Sequence, residues 1–152
     1  MAAPFQIIPA TPAETAEILG LEQLCYSDPW TERIIRTFVV AAGLPSKGYV
    51  ARVLKEGDAV IAYAFASKQE GQLLVERLGV RPENRRKQIG SGLMVSLIYA
   101  AREMKLPVIT CSLDEENLTG QLFLKYGGFR ALPVTDESRS ARMIQFARSA
   151  NG

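Results

Sequence analysis

An apolar strand that runs into a basic, glycine-containing turn and then into a long helix constrains this chain more than any other feature. The strand is predicted at Gln72 to Val80, and the turn, residues 85–92, is RRKQIGSG. The helix that follows has apolar residues every three or four positions, at Ile89, Leu93, Leu97, Ala100 and Met104. Unpaired N–H groups and the dipole at a helix start both favour an anion. The turn is therefore predicted to bind phosphate.

Two common phosphate motifs are excluded at this turn. The Gly-Lys-Ser/Thr end of a P-loop is missing, and so is the Gly-x-Gly-x-x-Gly spacing of a dinucleotide fold. Most runs of charge are solvated surface, and Arg85, Arg86 and Lys87 could be such a cluster. The strand before them and Gly90, Ser91 and Gly92 after them favour the phosphate site instead.

The pattern along the whole chain predicts the order β-α-α-β-β-β-α-β-α-β-β. Strands are expected at 5–9, 49–54, 59–67, 72–80, 107–113, 129–134 and 141–147, and helices at 11–24, from 28–31 onward, at 89–104 and at 118–126. A polar loop, TDESRS, is expected between the last two strands. This order predicts one α/β (α+β) domain over residues 1–152, with a mixed, mostly antiparallel sheet of about six to seven strands and helices on both faces.

Composition excludes several functional classes. The chain has 152 residues, enough to bury about 68–70% of its unfolded surface, and its net charge of +2 implies no nucleic-acid-scale basic field. It has no histidine, and Cys25 and Cys111 fit no metal spacing and are expected to be reduced thiols. No signal peptide is recognised, and no apolar run reaches the ~20 residues of a membrane span. We expect a cytoplasmic protein without metal, nucleic acid or membrane partners.

Residues 76–92 resemble the acyl-CoA signature of the GNAT superfamily of acetyltransferases. That signature is (Arg/Gln)-x-x-Gly-x-(Gly/Ala) after a strand ending in Val-x-Pro, which Val80-Arg81-Pro82 matches. The resemblance implies acetyl-CoA as co-substrate, with its phosphates held by Arg85, Arg86, Lys87, Gln88, Ile89, Gly90 and Ser91. Gln88 replaces the first family glycine, and its side chain is expected to narrow access to the pyrophosphate.

Gly79 lies inside an otherwise apolar predicted strand, where glycine is unfavourable and therefore calls for an explanation. A bulge, the close approach of a ligand, or a helix crossing above would each explain it. In the family this strand splays from its neighbour, and its main chain contacts the pantetheine arm and polarises the thioester carbonyl. The resemblance gives that position to Leu78, Gly79 and Val80. Such a donor is typically worth several kcal/mol of transition-state stabilisation.

The segment NLTGQLFLKYGGF, from Asn117, resembles the family element Asn-x-x-Ala-x-x-Leu-Tyr-x-x-x-Gly-Phe. The resemblance implies that Asn117 contacts the pantetheine arm, and a helix N-cap role is compatible with that. The tyrosine that serves the family as general acid falls on Leu124. Tyr126 lies about 200° further round the helix, so it is expected to be a packing residue.

The segment Asp28-Pro29-Trp30-Thr31-Glu32 resembles the Pro-Trp-Ser-Glu segment of ribosomal-protein N-terminal acetyltransferases. Pro29 and Trp30 could equally pack against the start of a helix and have no role in substrate binding. The catalytic glutamate of that subfamily falls on Ser112.

Glu76 is then the best candidate base, because strand parity places it on the face of Leu78 and Val80. The alternative is that Glu76 pairs with an arginine such as Arg77 or Arg52. Glu115 and Glu116 are expected to be solvated and could attract a cationic substrate.

The resemblance predicts an N-acetyltransferase that passes acetyl from acetyl-CoA to a primary amine. A lysine of pKa ~10.4 costs about 4 kcal/mol to deprotonate near pH 7.5, whereas an α-amine of ~7.7–8.0 costs under ~1, so a weak amine is favoured. The alternative is a non-catalytic acyl-CoA-binding or protein-interaction module. The apolar last strand could pair across subunits, so a homodimer is possible. Cys25 or Cys111 could in principle form an acyl-enzyme, but the chain has no histidine to activate either thiol.

Overall fold

A seven-stranded sheet with helices on both faces forms the computed structural model, which describes residues 5–44, 47–85 and 88–151. The strands are β1 Phe5–Pro9, β2 Tyr49–Glu56, β3 Ala59–Gln69, β4 Gln72–Val80, β5 Val108–Asp114, β6 Arg130–Ala131 and β7 Met143–Ser149. The helices are α1 Thr15–Cys25, α2 Glu32–Ala42, α3 Ile89–Glu103, α4 Leu118–Tyr126 and α5 Asp136–Ala141. One-turn 3-10 helices occupy Pro12–Glu14 and Pro82–Asn84.

The strands lie in the spatial order β1-β2-β3-β4-β5-β7-β6. Every neighbouring pair is antiparallel except β4 with β5. The predicted fold class, a mixed and mostly antiparallel sheet, is therefore confirmed. In the described ranges, no helix combines the length and apolar character that a bilayer crossing requires. The same ranges contain no group of three or more Cys, Asp or Glu residues placed to hold a metal ion.

Two apolar clusters cover the two faces of the sheet. The first joins α3 and α4 to alternate residues of β3 and β4, including Leu93, Leu97 and Leu124. The second joins α1 and α2 to the opposite face, including Ile18, Tyr63 and Phe65. Alternation along β3 explains the division, because successive strand residues point to opposite faces.

Short polar side chains start the helices where the sequence predicts. Thr11 and Glu14 form a reciprocal capping box, in which the Thr11 N–H donates to Glu14 Oε1 at 2.8 Å. Thr31 accepts from the Ile34 N–H at 3.3 Å and begins α2. Caps of this kind typically contribute about 1 kcal/mol each.

The segment before β7 differs from the sequence prediction. Residues 136–141 form α5 instead of a loop, since Thr135 and Ser138 make a second capping box. The strand predicted at 129–134 is reduced to the two residues of β6. Runs of Ser, Thr and Asp are typical of both turns and helix starts, so the local pattern did not distinguish them.

The parting of β4 from β5 creates the cleft of this fold. These strands pair only from Gln72 with Val108 to Val75 with Cys111. Glu76 is the extra residue of a β-bulge, because Phe65 opposes Arg77 while Ala66 opposes Val75. Beyond the bulge, β4 pairs only with β3, and β5 continues with β7 to Asp114. An open edge of β4, residues 76–80, therefore faces the end of β5.

A buried carboxylate fixes the α1–α2 connection against the sheet. Glu22 has no exposed surface, and its Oε2 accepts the Trp30 N–H at 2.6 Å. Its Oε1 accepts the Tyr63 hydroxyl and lies 3.4 Å from Arg77 Nε. Trp30 stacks on Phe65 with ring centroids 5.6 Å apart. Three elements are joined through one side chain.

Gln88 has a left-handed backbone, with φ 61° and ψ 19°, immediately before α3. This conformation costs an ordinary residue roughly 1–2 kcal/mol, whereas glycine adopts it freely. The backbone conformation by itself explains the glycine expected from the resemblance, and the effect of the Gln88 side chain on access to the pyrophosphate stays a prediction. Because Gln88 precedes the helix, replacing it removes no helix-forming side chain.

We expect Gln88→Gly to raise the free energy of unfolding by about 1 kcal/mol, because it relieves the left-handed strain. Urea denaturation followed by circular dichroism measures this. Lys105→Gly, at φ 59°, should behave alike, while Lys125→Gly inside α4 should lose about 1 kcal/mol. A loss for Gln88→Gly equal to that of Lys125→Gly would contradict this account.

Glu22→Ala should lower the free energy of unfolding by about 3–5 kcal/mol, because it leaves Arg77 and two donors without their buried partner. Glu32→Ala is the matched control, since it removes a surface i,i+4 pair with Arg36 and should cost under ~1 kcal/mol. Equal losses for the two variants would mean that the Glu22 contacts contribute nothing beyond a surface pair.

Candidate active site

The open edge of β4 is contacted by side chains from the end of α1. Tyr26 Oη lies 3.1 Å from the Leu78 nitrogen and 3.1 Å from its carbonyl oxygen. A hydroxyl can accept from the N–H and donate to the C=O at the same time. Next along the edge, the Val80 carbonyl accepts from Cys25 Sγ at 3.4 Å and from Arg85 Nε at 3.2 Å. The main chain of Leu78 and Val80 therefore lies on the open edge of β4, and its contact with a pantetheine arm stays a prediction.

Gly79 is required by its neighbour across the sheet. A Cβ on Gly79 would lie 2.5 Å from Cε1 of Tyr63, its cross-strand partner on β3. The group that approaches Gly79 closely is therefore the buried Tyr63 ring. The bulge of this strand lies at Glu76 and not at Gly79. Neither a ligand nor a crossing helix is needed to explain this glycine.

Tyr26 is held between the sheet and a cation. The Arg77 guanidinium carbon lies 4.1 Å from the Tyr26 ring centroid and 5.0 Å from the Trp30 ring centroid. Arg77 also donates to the Asp28 carbonyl at 2.8 Å. Burial raises the pKa of the Tyr26 hydroxyl above its ordinary value, outweighing the hydrogen bond to Leu78 and the nearby Arg77 charge. The phenol is therefore neutral over the physiological range.

The basic turn is partly described. Arg85 is exposed and bends back to Val80, with its Nη2 3.5 Å from Cys25 Sγ. Arg86 and Lys87 lie outside the described residues. Cys25 thus has a cationic neighbour that the sequence did not indicate, whereas burial raises the pKa of the Cys111 thiol to about 11.

The start of α3 presents main-chain donors. The first helical bond runs from the Gly92 N–H to the Gln88 carbonyl at 3.1 Å, so the N–H groups of Ile89, Gly90 and Ser91 precede the intrahelical ladder. The Ile89 side chain is buried, while Ser91 is exposed. The first turn carries no acidic residue. These residues fit an anionic group at the helix start.

Gly90 has a packing role besides this one. A Cβ on Gly90 would lie 3.2 Å from Cε1 of Phe123 on α4. A Cβ at Gly90 would therefore fit only if the Phe123 ring shifted slightly.

Asn117 is the N-cap of α4, as predicted. Its Oδ1 accepts the Gly120 N–H at 2.9 Å. It follows β5 closely, so it stands at the same end of the cleft as residues 78–80. Its contact with a pantetheine arm stays a prediction.

Glu76 is half-buried and forms no hydrogen bond or salt bridge within ranges 5–44, 47–85 and 88–151. The alternative partners proposed for it are engaged elsewhere. Arg77 faces Glu22, and Arg52 donates to the Ala51 carbonyl at 3.2 Å.

The bulge interrupts the strand alternation that was expected to place Glu76 on the face of Leu78 and Val80, since Val75 and Leu78 both pack in the first apolar cluster. The role of Glu76 as a base stays a prediction.

The other family positions lack the usual chemistry. Leu124 is 2% exposed and belongs to the core, while Tyr126 on the same helix is 91% exposed. The predicted packing role for Tyr126 is therefore wrong. Glu115 and Glu116 both lie within 3.2 Å of Arg142, which weakens their expected attraction for a cation.

Sequence reasoning missed Tyr26 and Glu22 as site residues, and it considered Cys25 only as a possible acyl-enzyme nucleophile, without its contacts with Val80 and Arg85. Cys25 and Tyr26 directly precede the Asp28–Glu32 segment, and this proximity is the one signal that could have found them. Glu22 falls on the apolar face of α1, at the spacing of Ile18 and Leu21, where an ionised group needs a partner.

Comparisons with known proteins agree with the fold. No curated protein matches the chain. Among solved structures, the ribosomal-protein-S18-alanine N-acetyltransferase of Escherichia coli superposes with a TM-score of 0.79 at 17% identity, over 98% of this chain and 96% of that one. Ard1 of Thermoplasma volcanium gives 0.80 at 17%, over 95% and 97%. The PaiA N-acetyltransferase of Thermoplasma acidophilum, solved with coenzyme A, gives 0.74 at 12%, over 96% and 99%.

At these identities the superpositions show the shared fold alone. Family membership rests on the sequence profile of the Acetyltransferase (GNAT) family, which matches residues 15–129. That range runs from the start of α1 to the end of the segment after α4, and so contains the parted strands, the basic turn and Asn117. The chain belongs to the GNAT family of acetyltransferases.

Proposed function

We propose that this protein is an N-acetyltransferase that transfers the acetyl group of acetyl-CoA to a primary amine. The observation that carries the proposal is the parting of β4 and β5 after Val75, beside the N-terminus of α3. The cleft supplies main-chain groups for an amide-containing arm, and the helix start supplies donors for phosphates. Acetyl-CoA carries an amide-containing arm and phosphates in one molecule.

The residues of the chain have distinct tasks in this proposal. The N–H groups at Gln88 to Ser91 bind phosphate, together with Arg85 and, by resemblance, Arg86 and Lys87. Leu78, Gly79 and Val80 orient the pantetheine arm, and Asn117 stands at the far side of the cleft. Bound acetyl-CoA supplies the activated acetyl group. The protein's part is positioning and polarisation, which are large contributions to acyl transfer.

The acceptor enters from the other end of the cleft in this proposal. Glu76, half-buried and without a described ionic partner, takes the amine proton directly or through water. A single weak carboxylate base favours an amine that is partly neutral near pH 7.5, such as a peptide N-terminus, over a lysine side chain. Reduced Cys25 and Cys111 support action in the cytoplasm.

A second candidate is a non-catalytic acyl-CoA-binding module. It is favoured by the core position of Leu124 and by Ser112, where the family carries reactive side chains. Release of CoA thiol from acetyl-CoA in the presence of mixed amines distinguishes the two. Binding without release would favour the module.

We expect acetyl-CoA to bind the purified protein with measurable heat, and Ser91→Asp to weaken that binding by about tenfold at low salt and less at high salt. A carboxylate in the first turn of α3 repels the phosphates, and salt screens the repulsion. Isothermal titration calorimetry measures the effect. Ala16→Asp, an exposed position in the first turn of α1, should leave affinity unchanged. No heat with millimolar acetyl-CoA would refute the site.

Glu76→Gln should lower the acetylation rate at neutral pH and recover part of it as pH rises. The reason is that the acceptor amine loses its proton without help once pH approaches its own pKa. Thiol release measured from about pH 7 to 9.5 gives the profile. Glu83→Gln, in the exposed 3-10 turn, is the control and should match the wild type. A pH profile for Glu76→Gln identical to that of the wild type would show that Glu76 has a structural role and does not act as the base.

A further inference from the structure

We propose that Tyr26 is a catalytic residue that donates a hydrogen bond to the thioester oxygen of the bound acyl donor, beside the Leu78 N–H. This inference rests on the proposed function. In the family a tyrosine hydroxyl from α4 faces the reaction, but here that position is the buried Leu124. The proposal places a tyrosine hydroxyl in the cleft from the end of α1 instead.

The first argument is the position of the hydroxyl. Tyr26 Oη lies 3.1 Å from both the nitrogen and the carbonyl oxygen of Leu78, on the open edge of β4. An acceptor oxygen that binds the Leu78 N–H must sit about 2.9–3.0 Å from that nitrogen. The thioester oxygen would thus take the place of the hydroxyl as acceptor. A small displacement then leaves the hydroxyl next to that oxygen, with its proton free to turn from the Leu78 carbonyl.

The second argument is that the tyrosine is held from behind. Arg77 lies 4.1 Å from the ring centroid and is itself anchored by the Asp28 carbonyl and the buried Glu22. These contacts limit how far the ring can move, so the hydroxyl stays beside the thioester oxygen once it has entered and needs no further reorganisation when charge develops there.

The third argument is the state of the proton. Burial raises the pKa of the Tyr26 hydroxyl, with Glu22 and Cys111 also raising it and Arg77 opposing. The phenol therefore keeps its proton and acts as a hydrogen-bond donor. Net transfer of that proton to a thiolate would be uphill, which separates this role from that of a general acid.

The other tyrosines do not compete for this role. The Tyr63 hydroxyl donates to Glu22, and Tyr126 is 91% exposed. Tyr49 and Tyr99 are also exposed, on β2 and α3. Across ranges 5–44, 47–85 and 88–151, Tyr26 is the one tyrosine whose hydroxyl forms hydrogen bonds with the β4 main chain.

The reaction balances without a further reagent. The amine nitrogen bonds to the carbonyl carbon, and the C=O electron pair moves onto the oxygen, where the Leu78 N–H and the Tyr26 O–H hold it. The pair returns as the C–S bond breaks, and the sulfur leaves with the bonding electrons. One proton passes overall from the amine to the sulfur, and Tyr26 begins and ends protonated.

The kinetic test is Tyr26→Phe, which keeps the ring and its contact with Arg77 and removes only the hydroxyl. We expect kcat to fall by about 10²–10³-fold, the usual effect of removing one such donor. KM for acetyl-CoA should not rise, because the hydroxyl no longer competes for the Leu78 N–H. Tyr126→Phe is the matched control and should match the wild type. An unchanged kcat for Tyr26→Phe would overturn the proposal, and so would equal losses for the two variants.

A second measurement does not depend on turnover. The ¹³C resonance of carbonyl-labelled acetyl-CoA should move downfield on binding to the wild type, and less on binding to Tyr26→Phe, because one polarising donor is gone. Equal shifts would overturn the role of Tyr26 while leaving acetyl-CoA binding intact. Absence of any binding to the wild type would overturn both this inference and the proposed function. Matching urea denaturation curves would show that the variant is folded.

Discussion

The register of β4 is the constraint on which the rest of this structure depends. Four residues of β4 pair with β5, and the bulge at Glu76 then turns the strand away while its pairing with β3 continues. Without that extra residue, the two parallel strands would close and satisfy each other's main-chain groups. The bulge leaves Leu78 and Val80 with polar groups directed into a cleft. The helix start at Ile89 then lies at the mouth of the same cleft.

Glu22 is the second constraint, and it acts from the opposite face. Burying a carboxylate without partners costs much free energy. Glu22 is therefore held by Trp30 before α2, Tyr63 on β3 and Arg77 on β4. One of these partners, Arg77, reaches Tyr26. The position of the hydroxyl on the cleft edge is thus determined by a carboxylate that does not itself contact the cleft strand's main chain.

Periodicity and turn chemistry predicted most of the fold, because those signals are local. The strand at 72–80 and the helix at 118–126 agree with the structure at both ends. The helix at 136–141 was missed, since Thr and Ser start helices and turns alike. Of the candidate site, the turn proposed to bind phosphate and the cleft strand were predicted from a contiguous motif. Tyr26 did not, because its meeting with Leu78 is a contact between residues 52 positions apart.

The hydrogen bond between the Leu78 N–H and Tyr26 affects how the affinities of acetyl-CoA and free CoA compare. In the structure the Leu78 N–H already has a hydroxyl partner, so a thioester oxygen would exchange one hydrogen bond for another. Such an exchange adds little net free energy, and the acetyl group would contribute to catalysis more than to affinity. Free CoA would then bind nearly as tightly as acetyl-CoA. Under the proposed function, the ratio of acetyl-CoA to free CoA in a cell would then set the rate of this protein more than the total concentration of acetyl-CoA.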